Sequence, residues 1–322
     1  AYVEYATAKE NLNDHLYKSD EEQQVILTTA VDIIKLPYDS NEYTTLTGNG
    51  SMPYQIVVSQ DGNVYIALDY LAQYTALQYS VEQEPLHIII NNQWGTKTFS
   101  DVIKEESVRL DADIKSPILK KEATGDKVTV LEQEEEWTKV LTADGYIGYM
   151  KSKKLSDSYE EQVTSDFRAA EYTSIHKDYD MNLLWHQVTS QDSNDALAAD
   201  IQDVKGVNVI SPTWFSISSN DGDISSLASS DYVDTAHQND MEVWGLMDNF
   251  STDIDTDTVL GTTTSRENLE GQLITEALNY QLDGINIDIE SLPEETSESY
   301  VQFMRELSVK CRNNNLVLSV DV

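Results

Sequence analysis

The sequence predicts a multidomain protein: a small α+β module, a small β-barrel, and an α/β unit in which parallel strands alternate with helices. Its length of 322 residues exceeds that of one ordinary small domain, so two or three domains are expected. Short strand-like runs broken by turn residues occupy the first half of the chain. Beyond about residue 180, strand-like runs alternate with helical ones, which favours parallel strands.

The composition restricts the class of partner. The chain has 57 acidic and 21 basic residues, a formal net charge of -36. Such a charge repels phosphate, which argues against nucleic acid and anionic membranes and favours a neutral sugar or peptide. No run approaches the roughly 18 apolar residues of a membrane span, and the start at Ala1 suggests a processed or trimmed product. The single cysteine, Cys311, allows no internal disulfide and excludes a cysteine-based zinc cluster.

The α+β module is predicted for residues 1–108. Its first part is polar and acidic, and Ser19–Leu27 is compatible with a peripheral helix or a partly ordered lead-in. The elements that follow are a strand at 64–68, a short helix at 69–74, and strands at 79–81 and 86–90. This order resembles the copper amine oxidase N-terminal-like domain. The name implies no copper here, because His87 lies in an apolar strand where a structural histidine is expected, and no cofactor is predicted.

Residues 109–156 carry the pattern of a small β-barrel, in which short alternating strands are joined by polar turns. The strand-like elements are Gly125–Leu131, Trp137–Val140 and Gly145–Tyr149. They stand in the order of a bacterial SH3-type domain, which the segment resembles, and such modules commonly accompany cell-wall enzymes. Trp137 and Tyr149 fit either an aromatic ligand groove or the core of a small barrel. Residues 157–179 are polar, lack apolar periodicity and are predicted to be a linker.

Five strand-like runs mark the last part of the chain, residues 180–322. They are Asn182–Val188, Val207–Phe215, Glu242–Met247, Gly284–Glu290 and Leu316–Val322. Before the fourth run, a capping-box pattern at Thr264–Glu267 begins a helix with apolar residues at helical spacing. After it, apolar residues recur every three or four positions from Tyr300 to Cys311, which predicts a helix with a core-facing thiol. This alternation implies a parallel sheet or barrel.

The fourth run has two chemically distinct faces, because three isoleucines alternate with Asn286, Asp288 and Glu290. By itself the pattern favours a half-exposed strand with solvated acids. The flanking helices reverse this interpretation, since they bury both faces and turn the polar residues inward, with Glu290 at the carboxyl end of the strand. Carboxylates held together in this way repel one another, which raises the pKa of at least one and suits it to act as an acid.

The motif Asp283-x-x-Asn286-x-Asp288-x-Glu290 resembles the Asp-x-x-Asp-x-Asp-x-Glu signature of glycoside hydrolase family 18, the chitinase-like hydrolases of N-acetylglucosamine polymers. Residues 180–322 are similar to the bacterial cell-wall and spore-cortex branch of that family. The resemblance implies a (β/α)8 TIM barrel that is present only through about its fifth strand. Asn286 replaces the second aspartate of the signature, which keeps a hydrogen-bonding group and removes a charge.

The family's mechanism implies a role for each matching residue. Glu290 would be the general acid that protonates the glycosidic oxygen and then the base that activates water. The substrate's own 2-acetamido oxygen would attack the anomeric carbon, with Asp288 orienting that group and stabilising the cyclic intermediate. Asn286 and Asp283 would support them. Candidate sugar-binding residues at the barrel mouth are Trp185, Gln187, Phe215, Asp248, Asn249 and Asp321, whereas Trp214 and Trp244 are expected to pack in the core.

Two functions stay open on the sequence alone. The first is an extracellular or envelope-associated glycoside hydrolase that cleaves β-1,4 bonds at N-acetylglucosamine. Peptidoglycan is favoured over chitin as its polysaccharide because an SH3-like domain precedes the barrel. The second is a non-catalytic carbohydrate-binding or scaffolding protein on the same barrel, against which the intact Asp288 and Glu290 argue. Since a closed barrel has eight strands, a chain that stops at the fifth is expected to be an inactive fragment or to complete itself by association.

Overall fold

The computed structural model describes residues 1–321, which form two compact units. The first unit comprises Ala1–Asn13 and Ile66–Ala169, and the second comprises, of the described residues, 14–65 and 170–321. The division therefore differs from the predicted module at 1–108, because its residues 14–65 belong with the C-terminal part of the chain. No helix within residues 1–321 has the length and apolar character that crossing a membrane requires.

Both units are built mainly from short strands. In chain order the strands are β1 (Tyr2–Glu4), β2 (Leu16–Ser19), β3 (Gln24–Thr28), β4 (Ile33–Pro37), β5 (Glu42–Thr44), β6 (Asn49–Ser51), β7 (Val57–Gln60), β8 (Asn63–Ala67), β9 (Gln78–Gln83), β10 (Leu86–Asn91), β11 (Gly95–Asp101), β12 (Glu106–Arg109), β13 (Ile118–Glu122), β14 (Lys127–Gln133), β15 (Trp137–Leu141), β16 (Ile147–Lys151), β17 (Tyr159–Val163), β18 (Leu183–His186), β19 (Val209–Ile217), β20 (Ile224–Ser226), β21 (Glu242–Asp248), β22 (Gly284–Asp288) and β23 (Val317–Val320). The helices are α1 (Tyr5–Asn11), α2 (Leu68–Leu71), α3 (Leu197–Asp200), α4 (Ser230–Gln238), α5 (Thr256–Gly261), α6 (Thr263–Asn279) and α7 (Ser297–Asn313).

A seven-stranded antiparallel sheet organises the first unit, in the order β13-β12-β16-β15-β14-β11-β17. The apolar residues that share its core are Val102, Val108, Val128, Val140, Met150 and Leu155. Trp137 is also buried, and Lys151 Nζ lies 5.2 Å from the centre of its ring. This burial favours the packing role for Trp137 over a role in a ligand groove.

The predicted linker at 157–179 contains an edge strand, β17, which pairs antiparallel with β11. The Tyr159 hydroxyl donates a 3.0 Å hydrogen bond to Asp101, and Lys127 forms an ion pair with Glu161. An edge strand in contact with water carries charged residues, and its partner is distant in sequence. For both reasons the polar sequence of this segment does not reveal that part of it forms a strand.

Five parallel strands form the main sheet of the second unit, in the order β18-β19-β21-β22-β23, which confirms the five predicted runs. Helices cover one face of this sheet. There Ile285 and Ile287 of β22 are fully buried with Leu269 of α6 and Phe303 of α7. The Cys311 thiol lies in the same core, where burial raises its pKa to about 12, as expected for a core-facing residue.

The antiparallel sheet β2-β3-β4-β5-β6 covers the outer side of α7. Tyr17 and Ile26 of this sheet form an apolar cluster with Val309 of α7. Gln302, about two turns earlier on the helix, donates a 3.0 Å hydrogen bond to Thr28 Oγ1. α7 is therefore buried on two sides, by the parallel sheet and by this antiparallel one.

The segment Ser19–Leu27, for which the sequence allowed a helix, contributes to a β-hairpin. β2 and β3 pair antiparallel, with Ser19 opposite Gln24. The consecutive burial of residues 25–27 reflects a strand covered on both faces. A short continuous apolar run of this kind does not distinguish a strand from a buried helix.

The carboxylate of Glu22, in the turn between β2 and β3, caps the N-terminus of α6. It accepts hydrogen bonds from the backbone N–H groups of Thr263 (3.0 Å) and Thr264 (2.9 Å) and from the Thr264 hydroxyl (2.6 Å). Partial burial raises the pKa of Glu22, but the hydrogen bonds outweigh it and lower the pKa to about 2. The predicted capping box does not form, because Glu22 occupies its place and Glu267 pairs with Lys35.

We expect Glu22→Gln to lower the free energy of unfolding by about 1 kcal/mol near pH 7, the usual effect of losing an N-cap. Because the pKa in the folded state lies below the ordinary value of 4.5, this contribution is present above that value and is lost as the pH falls toward 2. Urea denaturation at several pH values measures it, with Glu21→Gln, at an exposed position, as the control. A loss that is the same at every pH would contradict this role.

A buried ion cluster links α6 to α7. Arg266 donates from Nε to Glu306 Oε2 (2.9 Å) and from Nη1 to the carbonyl oxygen of Leu260 (2.6 Å), and Lys310 Nζ lies 2.6 Å from Glu270 Oε2. The side chains of Arg266, Glu270 and Glu306 are almost completely buried. Burial, together with the charge of Glu306, raises the pKa of Glu270 well above its ordinary value. The Arg266 guanidinium is thus the main compensation for the charge of the Glu306 carboxylate, which has no access to water.

We expect Arg266→Met to destabilise the second unit by about 3–5 kcal/mol, because it leaves the buried Glu306 carboxylate unpaired. The double variant Arg266→Met/Glu306→Leu should lose less, since it removes both charges. Denaturant unfolding of the wild type and the two variants measures the difference, with the exposed Arg168→Met as a control. A double variant less stable than the single one would contradict this account.

Candidate active site

The polar face of β22 becomes accessible toward the carboxyl end of the strand. Asn286 is buried at 1% exposure, Asp288 is partly buried, and Glu290 is exposed. The isoleucines that alternate with them pack against the helices. The strand therefore has an apolar helix-facing side and a polar side whose last acid reaches solvent.

Carboxylates from three neighbouring strands meet at this end of the sheet. Parallel pairing places Asp248 of β21 beside Asp288. On the other side, the Asp321 N–H donates to the carbonyl oxygen of Ile287 (2.9 Å), which continues the pairing of β22 with β23 and sets Asp321 beside Asp288. Ser216 of β19 donates a 3.0 Å hydrogen bond to Asp248 Oδ2. Within residues 1–321, no group of three or more His, Cys, Asp or Glu side chains is arranged to hold a metal ion.

The surroundings of Asp288 favour its protonated form. Burial raises the pKa of Asp288, and the negative charges of Asp321, Glu290 and Asp248 raise it further. Burial and the charges of Asp288 and Asp321 also raise the pKa of the Tyr300 phenol, in the first turns of α7. A carboxyl group with a raised pKa keeps its proton to a higher pH than a free carboxyl group, and in that form it can donate a hydrogen bond or a proton.

Glu290 is held through its backbone, and its side chain projects into solvent. Asn249 donates from Nδ2 to the Glu290 carbonyl oxygen (3.0 Å) and accepts at Oδ1 from the Glu290 N–H (2.9 Å). The next residue, Ser291, has a φ of 58°, a left-handed conformation that turns the chain away from the strand. Asn249, predicted to bind sugar, therefore fixes the position from which the Glu290 carboxylate extends.

Asn286 lies below the carboxylates and bonds sideways to the fifth parallel strand. Its Nδ2 donates to Asp321 Oδ2 (2.9 Å), and its Oδ1 accepts from Ser319 Oγ (2.5 Å). Both ends of the amide are thus occupied by β23 and the residue just beyond it. The contact of Asn286 is with Asp321, and the sequence motif gives no sign of this pairing.

Asp283 lies at the opposite end of β22 from Glu290. Its carboxylate accepts a 2.8 Å hydrogen bond from the Val243 N–H and lies 2.9 Å from His237 Nε2. These contacts connect the amino ends of β21 and β22 with α4. The structure therefore separates Asp283 from Asp288 and Glu290 and gives it a structural position.

Phe215, predicted to bind sugar, lies instead on the helix-covered face and is fully buried. The pairing of β19 with β21 shifts between Thr213 and Phe215, so the extra residue turns Phe215 toward the helices. Gly245 leaves room for the ring, since a Cβ there would lie 2.5 Å from Phe215 Cε2. Simple alternation along the strand does not reveal such a bulge. Trp214 and Trp244 are also buried, in agreement with the prediction.

Trp185 and Gln187 lie at the end of β18 and are both exposed, with Trp185 at 57%. Phe250, which was not predicted from the sequence, is 55% exposed directly after Asp248 and Asn249. Its N–H donates a 3.1 Å hydrogen bond to Asp248 Oδ1, which fixes its backbone beside the acids. Its place just beyond the third parallel strand is the signal that could have identified it.

Comparisons with known proteins agree with part of this description. Residues 107–156 match the family model of the bacterial SH3 domain, which confirms that resemblance. No curated protein matches the chain, and none of the comparisons shows the copper amine oxidase-like domain, which stays a prediction.

Chitinases and spore cortex-lytic enzymes are among the similar solved structures. They include a chitinase from Bacteroides thetaiotaomicron (17% identity, 44% of this chain and 47% of that chain, TM-score 0.38), the Bacillus cereus spore cortex-lytic enzyme SleL (19%, 49% and 39%, 0.38), and SleL from Bacillus megaterium QM B1551 (14%, 61% and 49%, 0.38). The chain spans less than half the length of each. At this level of similarity the functional argument rests on the residues of the site.

We expect Asp288→Asn to raise the melting temperature near pH 7. The raised pKa means that ionising Asp288 costs stability as the pH rises through that value, whereas below about pH 4 the group is protonated in both states and contributes nothing. Thermal unfolding from acid to neutral pH measures the gap between variant and wild type, with the exposed Asp253→Asn as the control. A gap that does not widen with pH would show that the carboxylates do not interact as described.

Proposed function

We propose that this site is the acid/base centre of a family 18 type glycoside hydrolase acting on an N-acetylglucosamine-containing polysaccharide of the cell envelope. The observation that carries the proposal is the pair of acids at the carboxyl end of β22. Asp288 is partly buried among like charges, and Glu290 is exposed on a fixed backbone. Two acids in such different environments suit two different tasks.

Glu290 is assigned the acid/base role. Its exposed carboxyl group can reach a glycosidic oxygen that lies above the strand ends, donate a proton to it, and later accept a proton from the attacking water. The two hydrogen bonds with Asn249 hold the backbone at this point, and the side chain extends from it into solvent. A fixed backbone and an accessible carboxyl group suit Glu290 to proton transfer with a bound substrate.

Asp288 is assigned to the substrate's acetamido group. In the substrate-assisted mechanism the acetamido oxygen attacks the anomeric carbon, and a carboxyl group beside it orients the amide and stabilises the positive charge that develops. Asp288 is the last residue of β22, and Glu290 follows it by two residues, just beyond the strand. This separation suits contact with the N-acetyl substituent while Glu290 reaches the leaving oxygen.

Two exposed aromatic residues on the second unit supply surfaces for sugar rings. Phe250 lies directly after the Asp248 strand end, and Trp185 lies at the end of β18. An aromatic ring packs against the apolar face of a sugar, while nearby carboxylate and amide groups bind its hydroxyls. The chain's net charge of -36 fits a neutral polymer better than a polyanion.

The bacterial SH3 domain at residues 107–156 supports a cell-envelope setting, and peptidoglycan is therefore proposed ahead of chitin. The localisation proposed with it is extracellular or envelope-associated. The activity belongs to the whole protein, since the chain spans under half of the solved chitinase and cortex-lytic structures that it is similar to.

We expect Glu290→Gln to reduce hydrolysis by about 10²–10⁴-fold, because it removes the proton donor, while sugar binding is largely retained. Release of reducing ends from peptidoglycan and from chitin oligosaccharides measures turnover, and calorimetry measures binding. Glu294→Gln, at another exposed acid in the same loop, is the matched control. Full turnover by Glu290→Gln would overturn the assignment, and wild-type binding without release would favour the non-catalytic alternative.

A further inference from the structure

The side chain of Asp321 is directed at the polar face of β22 by two independent contacts. Its backbone N–H bonds to the Ile287 carbonyl oxygen (2.9 Å), which fixes its register next to Asp288. Its Oδ2 accepts a 2.9 Å hydrogen bond from Asn286 Nδ2. Since Asn286 and Asp288 share one face of the strand, Asp321 lies on that face as well.

The orientation of the Asn286 amide follows from its two partners. Ser319 Oγ donates to Asn286 Oδ1 (2.5 Å), and the amide nitrogen then faces the Asp321 carboxylate. The reversed amide would put Oδ1 against a carboxylate oxygen, two acceptors with no proton between them. Residue 286 is therefore used as a donor, which an ionised aspartate cannot be.

An aspartate at position 286 would place two carboxylates about one hydrogen-bond length apart in a buried position. Two carboxyl groups at so short a distance cannot both ionise, so one would keep its proton or the contact would break. Asn286 and Asp321 are complementary for this reason: one residue supplies the N–H, and the other supplies the charge.

We propose that Asp321 is the carboxylate partner of Asp288 in the reaction, in the place of the acid that residue 286 lacks, and that Asn286 positions it. The catalytic role of Asp321 rests on the proposed function. The hydrogen bonds that place Asp321 beside Asn286 and Asp288 do not depend on that function. Asp321, just after β23, then supplies the carboxylate that the signature motif has at position 286 of β22. Asp321 is thus a positioning residue that acts through Asp288, and its assignment differs from the direct sugar contact predicted from the sequence.

Asp288 is surrounded by four groups that titrate. Asp248 acts on it from β21, Glu290 from the loop after β22 and Asp321 from the end of β23, and the charge of Asp288 acts in turn on the Tyr300 phenol of α7. After burial, the charge of Asp321 has the largest effect in raising the pKa of Asp288, ahead of the charges of Glu290 and Asp248. Removal of the Asp321 charge should therefore lower that pKa.

The test exchanges the two side chains in the intact protein. Asn286→Asp should reduce kcat/KM near neutral pH by about tenfold or more, and Asp321→Asn should move the pH profile toward lower pH. The double variant Asn286→Asp/Asp321→Asn restores one acid and one amide in contact and should recover most of the lost activity. Asp234→Asn, at an exposed position on α4, is the control. A double variant as impaired as the worse single variant would overturn the proposal.

A second measurement does not depend on turnover. The pKa of Asp288, followed by carboxyl carbon NMR and assigned with Asp288→Asn, should fall in Asp321→Asn and return toward the wild-type value in the double variant. An unchanged pKa in Asp321→Asn would overturn the proposal even in an active enzyme. If the wild type hydrolyses no polysaccharide but the pKa moves as stated, the proposed function fails and the pairing of Asp288 with Asp321 stands.

Discussion

The parallel pairing of β22 between β21 and β23 is the constraint on which the rest of the site depends. Because side chains alternate along a strand, this register puts three isoleucines into the helix-covered core and aligns Asp248, Asp288 and Asp321 on the other face. A shift of one residue would bury the acids against α6 and α7. The apolar core therefore fixes the position of the acids as firmly as their own hydrogen bonds do.

Bringing like charges together costs free energy, and the surroundings reduce that cost by different means at each position. Ser216 donates to Asp248, Asn286 donates to Asp321, and Glu290 extends into water. Burial and the neighbouring carboxylates raise the pKa of Asp288, and no comparable donor among the described residues offsets them.

The period-two and helical patterns of the sequence are local, and they predicted the five parallel strands, the helices around β22 and the SH3-like strands. What they could not predict depends on distant contacts. Glu22 caps α6 from more than two hundred residues away, and β17 looks like a linker until it pairs with β11. At the site, alternation identified Asp288 and Glu290, but it misplaced Phe215 because one bulge in β19 reverses its direction. Asp283 matched the motif and yet serves the amino ends of the strands.

The burial of position 286 explains why an asparagine suits it better than an aspartate. Position 286 is 1% exposed, and a charge there would lose nearly all of its hydration, whereas Asp321 is only partly buried. A carboxylate at 321 can therefore act on Asp288 at a smaller desolvation cost than one at 286. The amide of Asn286 then contributes a hydrogen bond at the buried position and holds the charge at the more accessible one.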